Sequence, residues 1–152
     1  MVGLSTDGER LELAQKLGAS EVLKGDLADP VQRIEELTKG RGADLVIEAT
    51  GRVNAVTQAI EMTGPGGLCL MGGSGFLGQP VSFKPWNVVR DEKRIKGLQG
   101  FAWADYLLAL DLYSQGRIKI KPLISHSFKL TDFNQACLLA EQKKAVKIVL
   151  RP

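Results

Sequence analysis

The segment "ADLVIEATG", residues 43–51, carries a continuous apolar stretch between Asp44 and Glu48 and has a helical pattern on each side. A strand without polar alternation suits a parallel sheet covered on both faces, because neither face leaves room for a solvated side chain. The preceding helix, "DPVQRIEELTKG", is punctuated by its own residues: Asp29 at the N-cap, Pro30 in the first turn and Gly40 past the end. The following one, "VNAVTQAIEMTGPGG", is stopped by Gly64 and Pro65. Helix, buried strand, helix is the repeating unit of an α/β fold.

The same alternation runs along the chain. Residues 1–5 read as the end of a strand, followed by the helix "DGERLELAQKLGAS", in which Leu11, Ala14 and Leu17 share a face and Gly18 ends it. "EVLKG" is a brief strand, "LCLMGG" a buried one, followed by a loop to about Lys84. "WNVVRDEK" is a short helix, "RIKGLQG" a strand, and "WADYLLALDLYSQGR" an amphipathic helix ended by Gly116. After "KPLISHSFKL", a capped helix "TDFNQACLLAEQKKA" leads to a last strand, "VKIVLR". The pattern predicts a doubly wound parallel sheet with right-handed crossovers.

Composition narrows the function classes. The chain has 152 residues, 44% of them hydrophobic, enough for about one domain with a sizeable core. Its net charge of +3 is spread along the chain, and no aromatic residues interleave with the basic clusters "KRIK" and "QKKAVK". A nucleic-acid face is not expected. No run of about 18 apolar residues suggests a membrane span, and a cytoplasmic setting is the expectation. Cys69 and Cys137 lie in apolar contexts and read as buried free thiols. With one histidine, His126, and no C-x-x-C or H-E-x-x-H, no metal site is expected in the chain itself.

Gly73, Gly75 and Gly78 spell G-x-G-x-x-G, the spacing that cradles a dinucleotide pyrophosphate. A true fingerprint turns straight into a helix, whose N–H groups hold the phosphate. Here "QPVSFKPW" follows, and Pro80 and Pro85 oppose a helix. The acidic residue expected about 20 positions on is absent as well. The loop reads instead as a glycine-rich strand end, where absent side chains let a ligand approach the backbone.

"ERLELAQKLGA", "GRGADLVIEATG", "PGG", "IKG" and "LISHSF", in this order and spacing, resemble the medium-chain dehydrogenase/reductase family. The nearest likeness is to its zinc-containing alcohol, polyol and threonine dehydrogenases. The resemblance runs over the whole chain, from the family's second Rossmann strand onward. It implies that the first strand, its glycine-rich loop and the zinc-bearing catalytic domain would precede Met1. The expected architecture is therefore a Rossmann-like sheet lacking its first strand and Gly-rich loop. Residues 1–122 would form the partial dinucleotide-binding domain, and residues 123–152 a segment returning toward the catalytic domain. Alone, such a chain is expected to be inactive and aggregation-prone, because the first strand lies at the centre of the order 3-2-1-4-5-6.

The resemblance also implies site residues, all for an NAD or NADP cofactor. Ser5 falls where the family holds an acidic ribose ligand, with Arg10 at a nearby basic position. Ser with Arg permits the 2′-phosphate of NADP, while Asp7 standing in would restore NAD. Ser5 and Thr6 read equally well as helix caps. Thr50, Gly51 and Arg52 would border the adenosine half, Arg52 being also an ordinary helix-start residue. Gly72, Gly73 and Ser74 would meet the nicotinamide ring, and the backbone of Leu98 and Gly100 its carboxamide. Lys147 would approach the pyrophosphate or simply face solvent. Glu48 is expected to make a structural hydrogen bond rather than act in catalysis, and His126 to be structural. Met62, Met71, Trp86 and Trp103 read as packing residues. No catalytic or metal residue is assigned to this chain.

The implied function is the cofactor-binding part of an alcohol or polyol dehydrogenase, exchanging hydride between an alcohol or carbonyl and nicotinamide. Zinc would be held only by the missing domain. The implied assembly is a homo-oligomer joined near the sixth strand, Arg94 to Gly100. The alternatives are a zinc-free quinone reductase-type member and a non-catalytic truncated or structural chain. A methyltransferase would need an acidic-glycine loop that does not appear.

Overall fold

A computed structural model describes residues 1–25, 29–75 and 77–152. It divides into two compact units, Met1–Lys24 with Phe101–Pro152, and Gly25–Gly100.

The first unit opens with strand β1 (Val2–Ser5), helix α1 (Gly8–Lys16) and strand β2 (Glu21–Lys24). β1 and β2 pair in parallel, with Leu4 opposite Leu23. The second unit follows with α2 (Pro30–Leu37), β3 (Ala43–Glu48), α3 (Val53–Met62), β4 (Thr63–Met71), α4 (Pro85–Arg90) and β5 (Arg94–Gly97). Its three strands make one parallel sheet in the order β3-β4-β5. The chain then returns to the first unit with α5 (Trp103–Ser114), β6 (His126–Lys129), α6 (Phe133–Glu141) and β7 (Ile148–Arg151). β6 and β7 are a further parallel pair. The expected helices and strands are thus present, and the stretch read as a connection, "LISHSF", contributes β6.

Helix ends follow local chemistry. Asp29 Oδ1 accepts from the amides of Val31 and Gln32, and Pro30 occupies the first turn of α2. Pro30 has no N–H, so these contacts satisfy two of the three donors left at this helix start. At α1 the cap is Asp7, whose side chain accepts from the Arg10 amide, and not Ser5 or Thr6. Ser5 acts one step earlier, its hydroxyl accepting the Asp7 amide at 3.1 Å.

The core of the second unit is the face that α3 lays on the sheet. Val56, Ala59, Ile60 and Cys69 are buried together, with Val46, Met71, Val81, Val88 and Ile95 packed against them. Val56 and Ile60 keep 4% exposure or less, and each contributes about 1.5–3 kcal/mol of apolar burial.

Three expectations are corrected. Residues 43–51 are not covered on both faces: Leu45 and Ile47 point the other way from Val46 and Glu48 and stay 52% and 63% exposed. "TGPGG" does not merely end α3 but begins β4, where the register with β3 shifts between Ala43 and Leu45. α5 buries none of its residues, and Trp86 and Trp103 are exposed rather than packed. These observations have a common topology. β1 pairs only with β2 and β3 only with β4 among the described residues, so each has an edge without a strand neighbour. No described helix is long and apolar enough to cross a membrane.

Candidate functional site

Parallel pairing sends β3, β4 and β5 in one direction, so their carboxyl ends lie side by side. Ligands of open α/β sheets bind beyond such ends. The turns that follow carry Thr50, Gly51, Arg52, Gly72, Gly73, Ser74, Leu98 and Gly100, eight of the residues expected from sequence.

Glu48, the last residue of β3, organises this edge. Its side chain is buried, with the residue only 4% exposed. Oε1 accepts from the Thr50 amide at 2.8 Å, the Thr50 hydroxyl at 2.6 Å and the Gly51 amide at 3.0 Å. Oε2 accepts from the same Gly51 amide at 3.1 Å. Its main-chain carbonyl meanwhile accepts from the amides of Gly72 and Gly73, at 2.8 and 3.2 Å. The expected structural role of Glu48 is what the geometry shows.

The glycines here answer to close backbone approach. Gly51 has φ +69°, and a Cβ on it would lie 2.7 Å from the Ser74 amide nitrogen. A Cβ on Gly73 would lie 2.8 Å from Glu48 Oε2. The two turns therefore cross backbone against backbone, which side chains would forbid. Gly72, Ser74, Leu98 and Gly100 are exposed beside this crossing. The Leu98 amide is donated to the Met71 carbonyl at 2.9 Å, which continues the β4–β5 ladder past Gly97. Among the described residues no helix starts at the G-x-G-x-x-G spacing; the next described helix begins at Pro85.

Thr50 also bonds forward, its hydroxyl accepting the Arg52 amide at 3.1 Å. Arg52 stands at the N-cap of α3 with an exposed side chain that makes no capping bond.

Ser5, Arg10 and Lys147 belong to the other unit. Arg10 Nη2 donates to the Ala145 carbonyl at 2.9 Å, and its Nε lies 3.4 Å from Asp7 Oδ2. An open cleft of about 660 Å³ is lined there by Asp7, Glu9, Glu12, Ser125, His126 and Lys144, among others. Lys147 has an exposed side chain, while its carbonyl accepts from the Ser125 amide and hydroxyl. His126 Nδ1 lies 3.0 Å from Ser125 Oγ. Sequence reading missed the carrying role of Asp7; the signal was an acidic residue directly before "GERLELAQK".

Among the described residues no three His, Cys, Asp or Glu side chains converge as a metal site would require. Both cysteines are free. Burial pushes the Cys69 thiol pKa up, against a smaller lowering by its hydrogen bond with Thr63. Such a thiol is a packing group rather than a nucleophile.

A family model described as zinc-binding dehydrogenase matches residues 1–115. A probable D-xylulose reductase A of Arthroderma otae is 32% identical over 154 residues, covering 99% of this chain and 43% of that protein. An L-threonine 3-dehydrogenase of Bacillus licheniformis is 29% identical, covering 100% of this chain and 44% of that protein. Among solved structures, an alcohol dehydrogenase from Thermotoga maritima matches with a TM-score of 0.91 at 28% identity, over 99% of this chain and 42% of that one. The chain thus spans less than half the length of these relatives.

Proposed function

Because the chain belongs to the zinc-binding dehydrogenase family, we propose that it forms the cofactor-binding portion of an NAD(P)-dependent alcohol or polyol dehydrogenase. The observation that carries this reading is the row of adjacent carboxyl ends of β3, β4 and β5, with exposed Gly72, Ser74 and Leu98 along it. A ligand can reach the backbone at Gly72 and Ser74 because those positions present little or no side chain. In this reading residues 1–122 belong to the dinucleotide-binding domain and residues 123–152 return toward the catalytic domain. Zinc and the proton relay belong to other parts of the enzyme.

Bound nicotinamide supplies the hydride acceptor or donor; the chain supplies orientation. Gly72, Gly73 and Ser74 bound the ring. The Leu98 amide is already engaged with Met71, so Leu98 offers a carboxamide its carbonyl, with the Gly100 backbone alongside. Fixing that amide selects the ring face that exchanges hydride, a contribution of geometry. Thr50, Gly51 and Arg52 border the adenosine half, and Lys147 lends a point charge to the diphosphate. Ser5 and Arg10 flank the ribose. Arg10 stays held by Asp7 and Ala145 unless a 2′-phosphate draws it away, and the Asp7 carboxylate favours a free 2′-hydroxyl.

Calorimetric titration with NADH and with NADPH tests the reading. The enzyme that contains this chain binds one of them with micromolar affinity or better, and binding to neither overturns it. The isolated chain is expected to bind weakly, to be inactive and to self-associate, since β1 and β3 each have an edge without a strand neighbour among the described residues. β5 likewise pairs only with β4 among those residues, which supports Arg94 to Gly100 as a contact between copies.

A further inference from the structure

We propose that Glu48 is a positioning residue: its carboxylate sets the separation of the Thr50–Gly51 turn from the Gly72–Gly73 turn, and so the shape of the backbone presented to the dinucleotide. The claim rests on the cofactor-binding reading of this edge. Three observations support it. The carboxylate is buried and collects every short contact that the inner side of the Thr50–Gly51 turn makes with it: two amides and one hydroxyl. The same residue's carbonyl holds Gly72 and Gly73, so one residue fastens both turns. And Gly73 approaches Oε2 so closely that even a methyl group would collide.

A core residue would need none of this. Apolar packing could fill the volume of a glutamate side chain, but it could not accept the Thr50 and Gly51 amides. The Gly51 amide would be left buried and the Thr50 amide half-buried, both without this acceptor, and they recover partners as the turn moves toward water. A moved Gly51 cannot keep its crossing with Ser74 and Gly75, where backbone already meets backbone. The two turns therefore shift together. A displacement of about 1 Å at a positioning shell is enough to cost about 10²-fold in rate.

The test uses the enzyme that contains this chain, with three variants. Glu48→Ala removes both side-chain acceptor oxygens and leaves the main-chain carbonyl in place, Glu48→Gln keeps the shape and one acceptor oxygen, and Thr50→Val removes the hydroxyl that donates to Glu48 at 2.6 Å and accepts the Arg52 amide at 3.1 Å. Glu48→Ala is expected to raise KM for the dinucleotide at least about tenfold, with a further fall in kcat. Glu48→Gln is expected to restore KM to within about threefold of the parent, and Thr50→Val to lie between the two. Should Glu48→Ala not fold, the Gln and Thr50→Val variants decide the matter by the same order of KM. Amide hydrogen exchange at Thr50, Gly51, Gly72 and Gly73 should rise together in the weakened variants. A dinucleotide KM unchanged across the folded variants overturns the proposal, as does faster exchange at Thr50 and Gly51 with none at Gly72 and Gly73. A parent enzyme that binds no dinucleotide overturns the cofactor reading instead, which separates the two failures.

Discussion

Lys93 Nζ donates to the Ile60 carbonyl at 3.2 Å and to the Glu61 carbonyl at 3.4 Å, closing the C-terminus of α3 from 32 or 33 residues away. α3 has no basic residue in its own last turn. Its final carbonyls and the negative end of its dipole are met by a lysine whose side chain is only 6% exposed, itself 3.6 Å from Asp91. Replacing it by an apolar side chain of similar length, Lys93→Met, leaves those carbonyls without this donor. The expected loss is about 1–3 kcal/mol, read as a lower urea midpoint at unchanged m.

Gly51 and Gly66 separate two kinds of glycine requirement. Both have positive φ, +69° and +67°, but a Cβ at Gly66 meets nothing within 4 Å, whereas at Gly51 it meets the backbone of Ser74 and Gly75. Gly66→Ala is expected to cost about 1 kcal/mol from conformational strain alone. Gly51→Ala adds a collision that neither strand end can relieve, and should cost more than about 2 kcal/mol and weaken dinucleotide binding. Equal unfolding midpoints for the two variants would contradict the backbone crossing.

The two thiols should differ in reactivity. Cys69 has no exposed surface and Cys137 is half-buried. A maleimide reagent is expected to label Cys137 in the native protein and Cys69 only on unfolding. Burial raises the Cys69 pKa, so the folded state keeps the proton longer than the unfolded one. Its effect on stability is therefore nil at neutral pH. Above the ordinary thiol range the unfolded state gains by ionising first, and stability falls as pH rises.

Asp91 gives the opposite slope. Its bidentate contact with Arg90, at 2.7 and 2.9 Å, holds its carboxyl below the ordinary carboxylate range. The folded state thus releases this proton more readily than the unfolded state. The contribution is complete above a pH of about 4 and is lost as pH falls through the lowered folded value. Asp91→Asn should flatten the acid limb of a stability–pH curve and leave the alkaline limb unchanged. An unaltered acid limb would show that the pair contributes nothing.

Much of the fold was legible locally. Asp29, Pro30 and Gly40 bound α2 because caps and turn residues act over three or four positions, and the apolar stretch at Leu45 to Ile47 is a strand for reasons of period and length. The glycine spacing at Gly73 to Gly78 could be set aside for the same reason, since two prolines bar the helix that a phosphate loop needs. The site was legible in part. Its turns could be assigned because strand ends are where parallel sheets present backbone, yet nothing near "EATG" in sequence announces that Gly51 crosses Ser74 and Gly75.

By itself, then, the sequence determined the alternation of helices and parallel strands, their caps and the places where the chain must turn, because those depend on neighbours a few residues apart. Tertiary structure alone decided that Glu48 would bind Gly51 by its side chain and Gly72 by its carbonyl, that Lys93 would close α3, and that Leu45 and Ile47 would stay uncovered. Each of those outcomes depends on which distant segment arrives, and a hydrogen-bonding group or an apolar face carries no record in sequence of the partner that will satisfy it.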